Sequence, residues 1–384
     1  MEVKLISLLL SFGLLLNLGC ESGSPSKSEK AISEPDLSNE VTKNVTLPPG
    51  FKMEVFATDL EGARSMAQSP SGIIYVGTRI KNGNVYAVAD TNKDSRADKK
   101  WVIASGLFMP NGVMFHNGSL YVGEVNRIIR FDNIEANLDN PPKPVVVNDS
   151  FSSDTWHGWK VIRLGPDGKI YIPVGMPCNV CEQKDERFGS MMRLNLDGSG
   201  LEIFSKGLRN SVGFDWHPVT NELWFTDNGR DNMGDDIPPC ELNYAPTAGM
   251  NFGFPYFHGN GIPDPEFGKG KKASDYTPPA RDLGAHVAPL GMRFYDGTQF
   301  PAEYQNQIFI AEHGSWNRST KSGYRVSLVK LDGNKTISYQ PFADNWQVNE
   351  EVFGRPVDVE VLPDGSMLVS DDFSDCLYRI SYQK

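Results

Sequence analysis

One supersecondary unit recurs six times, and that recurrence limits the possible folds more sharply than composition does. "MAQSPSGIIYVGTRIKNGNVYAVAD" begins at Met66, "GVMFHNGSLYVGEVNRIIRFDN" at Gly112 and "VIRLGPDGKIYIPVG" at Val161. "VGFDWHPVTNELWFTDNGRD" follows from Val212, "LGMRFYDGTQFPAEYQNQIFIAEHGSW" from Leu290 and "PVDVEVLPDGSMLVSDDFSDCLYRISY" from Pro356. Each unit is a strand, a Gly/Pro/Asn/Asp turn, a second strand and a link to another strand. Period-two alternation, as in "GIIYVG" and "GSMLVS", marks half-buried strands. A β-sandwich has no reason to repeat one turn pattern six times. The expected fold is therefore all-β, a six-bladed β-propeller over residues 46–384, with about 56 residues per unit. That is more than a blade needs, so some loops are long. The longest insertion, 230–289, carries "GMNFGFPYFHG" and is expected to shape a site on one face.

Residues 1–20 read as a targeting segment. "LISLLLSFGLLLNLGC" is too short to span a bilayer and closes on Gly19 and Cys20. The ending resembles a bacterial lipobox, in which Cys20 is acylated and tethers the chain to a membrane without a transmembrane helix. Residues 21–45 are rich in Ser, Glu and Lys and read as a flexible linker. Together these place the protein in a bacterial cell envelope, in the periplasm or on the outer membrane. The 37 Gly and 26 Pro fit many short strands, and a formal charge of −11 gives no footing for a nucleic-acid partner. In an oxidising compartment Cys178 and Cys181, with Cys240, are disulfide candidates, their connectivity open.

Several short segments add a specific resemblance. "LPPGFKMEVFA" (47–57), a histidine ahead of "GPDGKIY", "GLRNSVGFDWHP" (207–218), "GMNFGFP" (249–255), "HGSWNRS" (313–319) and "GRPVDVEVLPDG" (354–365) occur in order. In this set the chain resembles the glucose/sorbosone dehydrogenase family. Those are propellers that use pyrroloquinoline quinone (PQQ) and calcium. "HGSWNRS" and "CNVCE" place it nearer the sorbosone branch.

The resemblance implies a role for His157, which lies in a loop where a lone histidine is ordinarily structural. It falls where the family carries its base, and an imidazole suits removal of a sugar O–H proton as hydride leaves carbon. Trp156 and Trp159 would wall a sugar. Arg209 and Asn210 match the family's cofactor-binding pair. A guanidinium suits the carboxylates of PQQ and the charge that develops on its quinone oxygens. Arg355 matches a second such arginine, while Val357 replaces a third. His313 and Arg318 are stand-ins for that charge, and Asn111 falls near another polar cofactor position. Calcium is implied at the carbonyls of Gly229 and Arg230, with Asp235 and Asp236 nearby. Separately, Asp90, Asn92, Asp94 and Asp98 have spacing like the start of an EF-hand loop, although Ser95 stands where Gly is expected.

The expected function is thus an exported PQQ- and Ca²⁺-dependent dehydrogenase of a small sugar, reoxidised by an external quinone or cytochrome. A calcium-dependent propeller lactonase competes, as does a non-catalytic propeller that binds a glycan or protein. Neither needs the arginines aimed at a polycarboxylate.

Overall fold

The computed structural model describes residues 37–383. The targeting segment, Cys20 and the first part of the linker lie outside the described residues. Six sheets form the blades of a β-propeller, with strands drawn from 63–107, 112–148, 163–206, 211–285, 289–343 and 356–382. Among the described residues no helix is long and apolar enough to cross a membrane.

The ring closes through the N-terminal strand. Phe51–Ala57 pairs antiparallel with Cys376–Tyr382 and becomes the outermost strand of the last blade. Both ends of the fold thus share one sheet, and the outer edge of Cys376–Tyr382 is covered. Phe51 fixes the join by packing edge-on against Phe300, Tyr304 and Phe342 of the preceding blade.

Residues 37–44 depart from the linker reading. Leu37–Asn44 is a short helix, and its Val41 is fully buried against a cluster that includes Trp346 and Tyr378. Composition favoured a linker because six of the eight positions are polar. One apolar side chain seated on the core is enough to order the turn.

The second strand of most blades corrects the half-buried expectation. Ile74–Thr78, Ile170–Val174, Leu223–Asp227, Ile308–Glu312 and Met367–Asp371 are buried at every position. Blades stack face to face, so a strand near the axis is covered on both sides by its neighbours. The insertion is also shorter than 230–289. Pro239–Ala245 and Arg281–Ala285 are blade strands, and Met250–Asn251 pairs in parallel with Glu202–Lys206 of the blade before.

Cys178 and Cys181 form a disulfide, whereas Cys240 and Cys376 are free and buried. Cys240 therefore drops out of the disulfide candidates. It sits in the strand Pro239–Ala245, where its sulfur accepts the Gly229 N–H at 3.5 Å.

The innermost strands Ala63–Gln68, Gly112–His116, Arg163–Leu164, Ser211–Trp216, Pro289–Phe294 and Pro356–Val361 surround the axis and enter it from the same face. Four of them carry a register shift in their first residues. Such bulges re-aim the side chains at the strand start. Four strand starts are re-aimed in this way.

Candidate active site

A cavity of about 340 Å³ lies where the innermost strands begin. Arg64 is the second residue of its strand, Arg209 and Asn210 immediately precede Ser211, Ala288 precedes Pro289, and Arg355 precedes Pro356. The ends of the second strands add Arg79, Gly229 and His313. These residues are remote in sequence because they come from the axial corners of several different blades.

His157 borders the cavity in a loop, with a left-handed φ of 50°. A non-glycine residue held there is strained, a feature that concentrates at functional sites. The loop rests on Gly175, where a Cβ would come within 2.6 Å of the His157 Cβ. The His157 Nδ1 lies 2.8 Å from the Met176 carbonyl. A carbonyl only accepts, so Nδ1 carries the proton. Burial, reinforced by the charge of Arg209, pushes the pKa down to about 3. The ring is therefore neutral, and its Nε2 holds the free lone pair.

Trp156 departs from expectation. It is 53% exposed, stands edge-on to His157 and does not line the cavity. Trp159 does line it, beneath the Arg64 guanidinium at 5.5 Å.

Arg209 donates from Nε to the Asn179 carbonyl and from Nη2 to Asn179 Oδ1, both at 2.8 Å, and from Nη2 to Asp231 at 3.0 Å. Its backbone N–H and that of Asn210 are held by the buried Asp227 carboxylate. Arg355 is held in the same way, by Asp371 through its N–H and by the His313 and Gly314 carbonyls through its guanidinium. Among the described residues the side-chain amide of Asn210 has no partner, so it is free for a ligand.

Asp372 gathers a further group. Arg64 at 2.9 Å, Arg79 at 3.3 Å and His313 at 2.8 Å all reach its carboxylate. Burial opposes ionisation of Asp372, but these three neighbours outweigh it and hold the pKa below the usual carboxylate range. Burial pushes His313 down to about 4. It is a neutral ring donating Nε2–H to Asp372, and the positive charge comes from the arginines.

Other expected site residues have different work. Asn111 is buried behind the cavity, where its Oδ1 accepts from Arg64 and its Nδ2 donates to the Lys160 carbonyl. Arg318 does not reach the cavity. It ties the 313–319 loop to the 230–236 loop, through the Asp235 carbonyl and the Asp236 carboxylate. Asp235 accepts the Ser319 N–H in the same junction. The junction presents Trp316 on the cavity rim, 72% exposed. Gly229 borders the cavity, but the Arg230 guanidinium turns away to Asp264. In the Asp90 loop, oxygens of Asp90, Asn92, Asp94 and Asp98 accept N–H groups of the loop itself. Among the described residues no group of three or more His, Cys, Asp or Glu side chains is arranged to hold a metal ion.

Sequence reading missed Arg64, Arg79, Asp372, Asn179, Asp231 and Trp316. Arg64 carried no motif: it lies one residue inside its strand, whereas Arg209 and Arg355 lie just ahead of theirs.

Comparison with known proteins bears on the family and the fold. The glucose/sorbosone dehydrogenase family profile matches residues 123–379. The chain belongs to that family. An uncharacterised protein of Borreliella burgdorferi is 34% identical over 366 residues, 90% of this chain and 93% of that one. The aldose sugar dehydrogenase YliI of Escherichia coli is 26% identical over 241 residues, 57% of this chain and 59% of that one. In structure, family AA12 of Trichoderma reesei, solved with calcium, superposes with a TM-score of 0.76 at 17% identity, covering 88% of this chain and 97% of that one. The holo PQQ domain of pyranose dehydrogenase from Coprinopsis cinerea does so with a TM-score of 0.72, also at 17% identity and with the same coverage. At these identities the structures share the fold. The family match supports a sugar dehydrogenase propeller.

Proposed function

We propose that the chain is a PQQ- and Ca²⁺-dependent dehydrogenase of small sugars that works outside the cytoplasm. One observation carries the reading: a neutral imidazole, its Nδ1–H fixed on a carbonyl, shares a cavity with four arginines.

The residues present fit the cofactor. PQQ carries three carboxylates, and Arg64, Arg79, Arg209 and Arg355 face the cavity against the single lining carboxylate of Asp231. Arg209 Nη1 makes one long contact, at 3.4 Å to the Asn228 carbonyl, and so retains donor capacity toward the cavity. Arg209, Asn210 and Arg355 would hold the cofactor. The carbonyls of Gly229 and Arg230 would hold Ca²⁺, with water and cofactor oxygens filling the shell that a hard cation requires. When bound, PQQ supplies a hydride acceptor and Ca²⁺ a Lewis acid.

The chain's own residues handle the proton. His157 Nε2 accepts it from the sugar hydroxyl as the C–H bond gives up hydride, and the Met176 carbonyl steadies the imidazolium through Nδ1. Arg209 stabilises the negative charge that develops opposite the base. Trp159 and Trp316 offer apolar faces for a sugar ring, the first inside the cavity and the second on its rim. A separate electron acceptor, a quinone or a cytochrome, completes the turnover. The N-terminal segment and the Cys178–Cys181 disulfide support export, since disulfides persist in oxidising compartments. A lipid on Cys20 would then hold the enzyme at a membrane surface.

The test is titration of the Ca²⁺-loaded apoprotein with PQQ, followed by absorbance, and then dye reduction with a panel of aldoses. Stoichiometric uptake and sugar-dependent dye reduction are expected. Failure to take up PQQ in the presence of Ca²⁺ would sink the reading.

A further inference from the structure

The 178–181 loop is used by nothing in the reaction as described, yet it holds the Arg209 guanidinium through two hydrogen bonds. Asn179 lies inside the small ring closed by the Cys178–Cys181 disulfide. Its backbone carbonyl takes Arg209 Nε–H and its Oδ1 takes Nη2–H, both at 2.8 Å. The same Oδ1 accepts the Asp231 N–H at 2.9 Å, and Nδ2 returns a bond to the Asp231 carbonyl at 3.2 Å. Asp231 in turn pairs with Arg209 at 3.0 Å. The three residues form a closed knot in which every polar group of the Asn179 side chain is used.

The knot constrains the direction of Arg209. With Nε and Nη2 taken by Asn179 and Asp231, Nη1 is the nitrogen left for the cavity. The outer anchor of the knot is a four-residue loop with no strand pairing of its own. Cys181 faces a solvent-open groove with Glu182, Gln183 and Tyr256. An Arg–carbonyl bond lasts only while the carbonyl is held in place, and here a covalent cross-link holds it.

We infer that Asn179 is a positioning residue for Arg209, and that the Cys178–Cys181 disulfide makes the site competent for its cofactor. The reduced chain carries two thiols in place of the S–S bond, and its 178–181 loop no longer holds the Asn179 carbonyl against the guanidinium. Competence is therefore acquired when two-electron oxidation of the thiol pair by an envelope oxidant, itself a disulfide or a quinone, closes the ring. For cofactor affinity this rests on the functional reading above. For the orientation of Arg209 it does not.

Two variants test it, Asn179→Ala and the double variant C178S/C181S. Serine replacement is preferable to a thiol reductant because thiols add to quinones. PQQ affinity of the Ca²⁺-loaded apoprotein is expected to fall roughly 10- to 100-fold in each, the range spanned by one charge-assisted hydrogen bond. Circular dichroism should stay that of wild type. NMR exchange of the Arg209 Nε–H, measured without cofactor, separates positioning from a general loss of fold. It should speed up at least tenfold in C178S/C181S, by analogy with loss of that same bond, and little in Asn179→Ala, which keeps the backbone carbonyl. Unchanged Nε–H exchange in C178S/C181S overturns the inference, even if affinity falls. PQQ binding within about twofold of wild type in both variants, less than one such bond is worth, also overturns it. If the wild type itself takes up no PQQ, the functional reading fails, and the exchange measurement still decides whether the disulfide positions Arg209.

Discussion

His157 is kept neutral by burial and by Arg209, and kept in one tautomer by Met176. Its replacement by Gln should lower kcat by about 10²- to 10⁴-fold, the usual worth of a positioned base, while PQQ uptake persists. Since protonation abolishes a base, the acid limb of kcat/KM should lie well below the free-imidazole value of about 6.5 and toward 3. A limb at 6.5 in a pH-rate profile would exclude His157 as the base. The same shift has a stability consequence. Between pH 6.5 and about 3 the unfolded His157 binds a proton that the folded one refuses, so acidification through that window costs the wild type stability. Urea denaturation across this range should show His157→Gln gaining on wild type by at most about 1.4 kcal/mol per pH unit. Gly175→Ala attacks the same residue from beneath. Its new Cβ would sit 2.6 Å from the His157 Cβ, and a destabilisation of about 1–3 kcal/mol with loss of turnover is expected.

The site is made by corners of elements rather than by their lengths. Asp227 and Asp371, each at the end of a second strand, accept the N–H groups of Arg209 and Arg355 at the start of the innermost strand in the same blade. A strand end thus fixes a strand start, and the arginine is aimed by a carboxylate that never enters the cavity. Loop-to-loop ties do the same on the rim. Asn232 N–H to Asn317 Oδ1 and Ser319 N–H to Asp235 Oδ1 hold the segment that presents Trp316. Trp316→Ala should raise KM for the sugar by roughly 3- to 10-fold, the worth of one aromatic contact, with PQQ affinity unchanged. Steady-state kinetics on cofactor-saturated enzyme would show it, and an unchanged KM would remove Trp316 from the sugar site.

At the scale of the whole molecule, closure is the vulnerable feature. The last blade borrows Phe51–Ala57 from the other end of the fold, and the helix Leu37–Asn44 seats Val41 on the core of that region. Val41→Ala should cost about 2 kcal/mol, as deletion of buried methyl groups does, and lower the denaturation midpoint without altering kcat. Removing residues 37–57 should do more, because it bares the edge of Cys376–Tyr382 to pairing with other chains. Light scattering after refolding would reveal the aggregation. A truncated chain that stays monomeric would show that closure is not what protects the edge.

The architecture was legible because a blade is a local object. Turn chemistry and period-two alternation lie within a few dozen residues, and six repetitions leave few folds to choose from. His157, Arg209, Asn210 and Arg355 were legible through motifs at blade corners, and all four border the cavity. What the chain order conceals is which corners meet. Arg64 and Asp372 are 308 positions apart, yet they form a buried ion pair because blade closure brings the first and last blades side by side. Arg318 and Trp156 look like site residues in sequence and are diverted to a loop tie and to solvent. Hydrogen bonds and ion pairs reach only a few ångströms. The sequence therefore determined the blades, and only the closed ring decided which charges share the cavity at its axis.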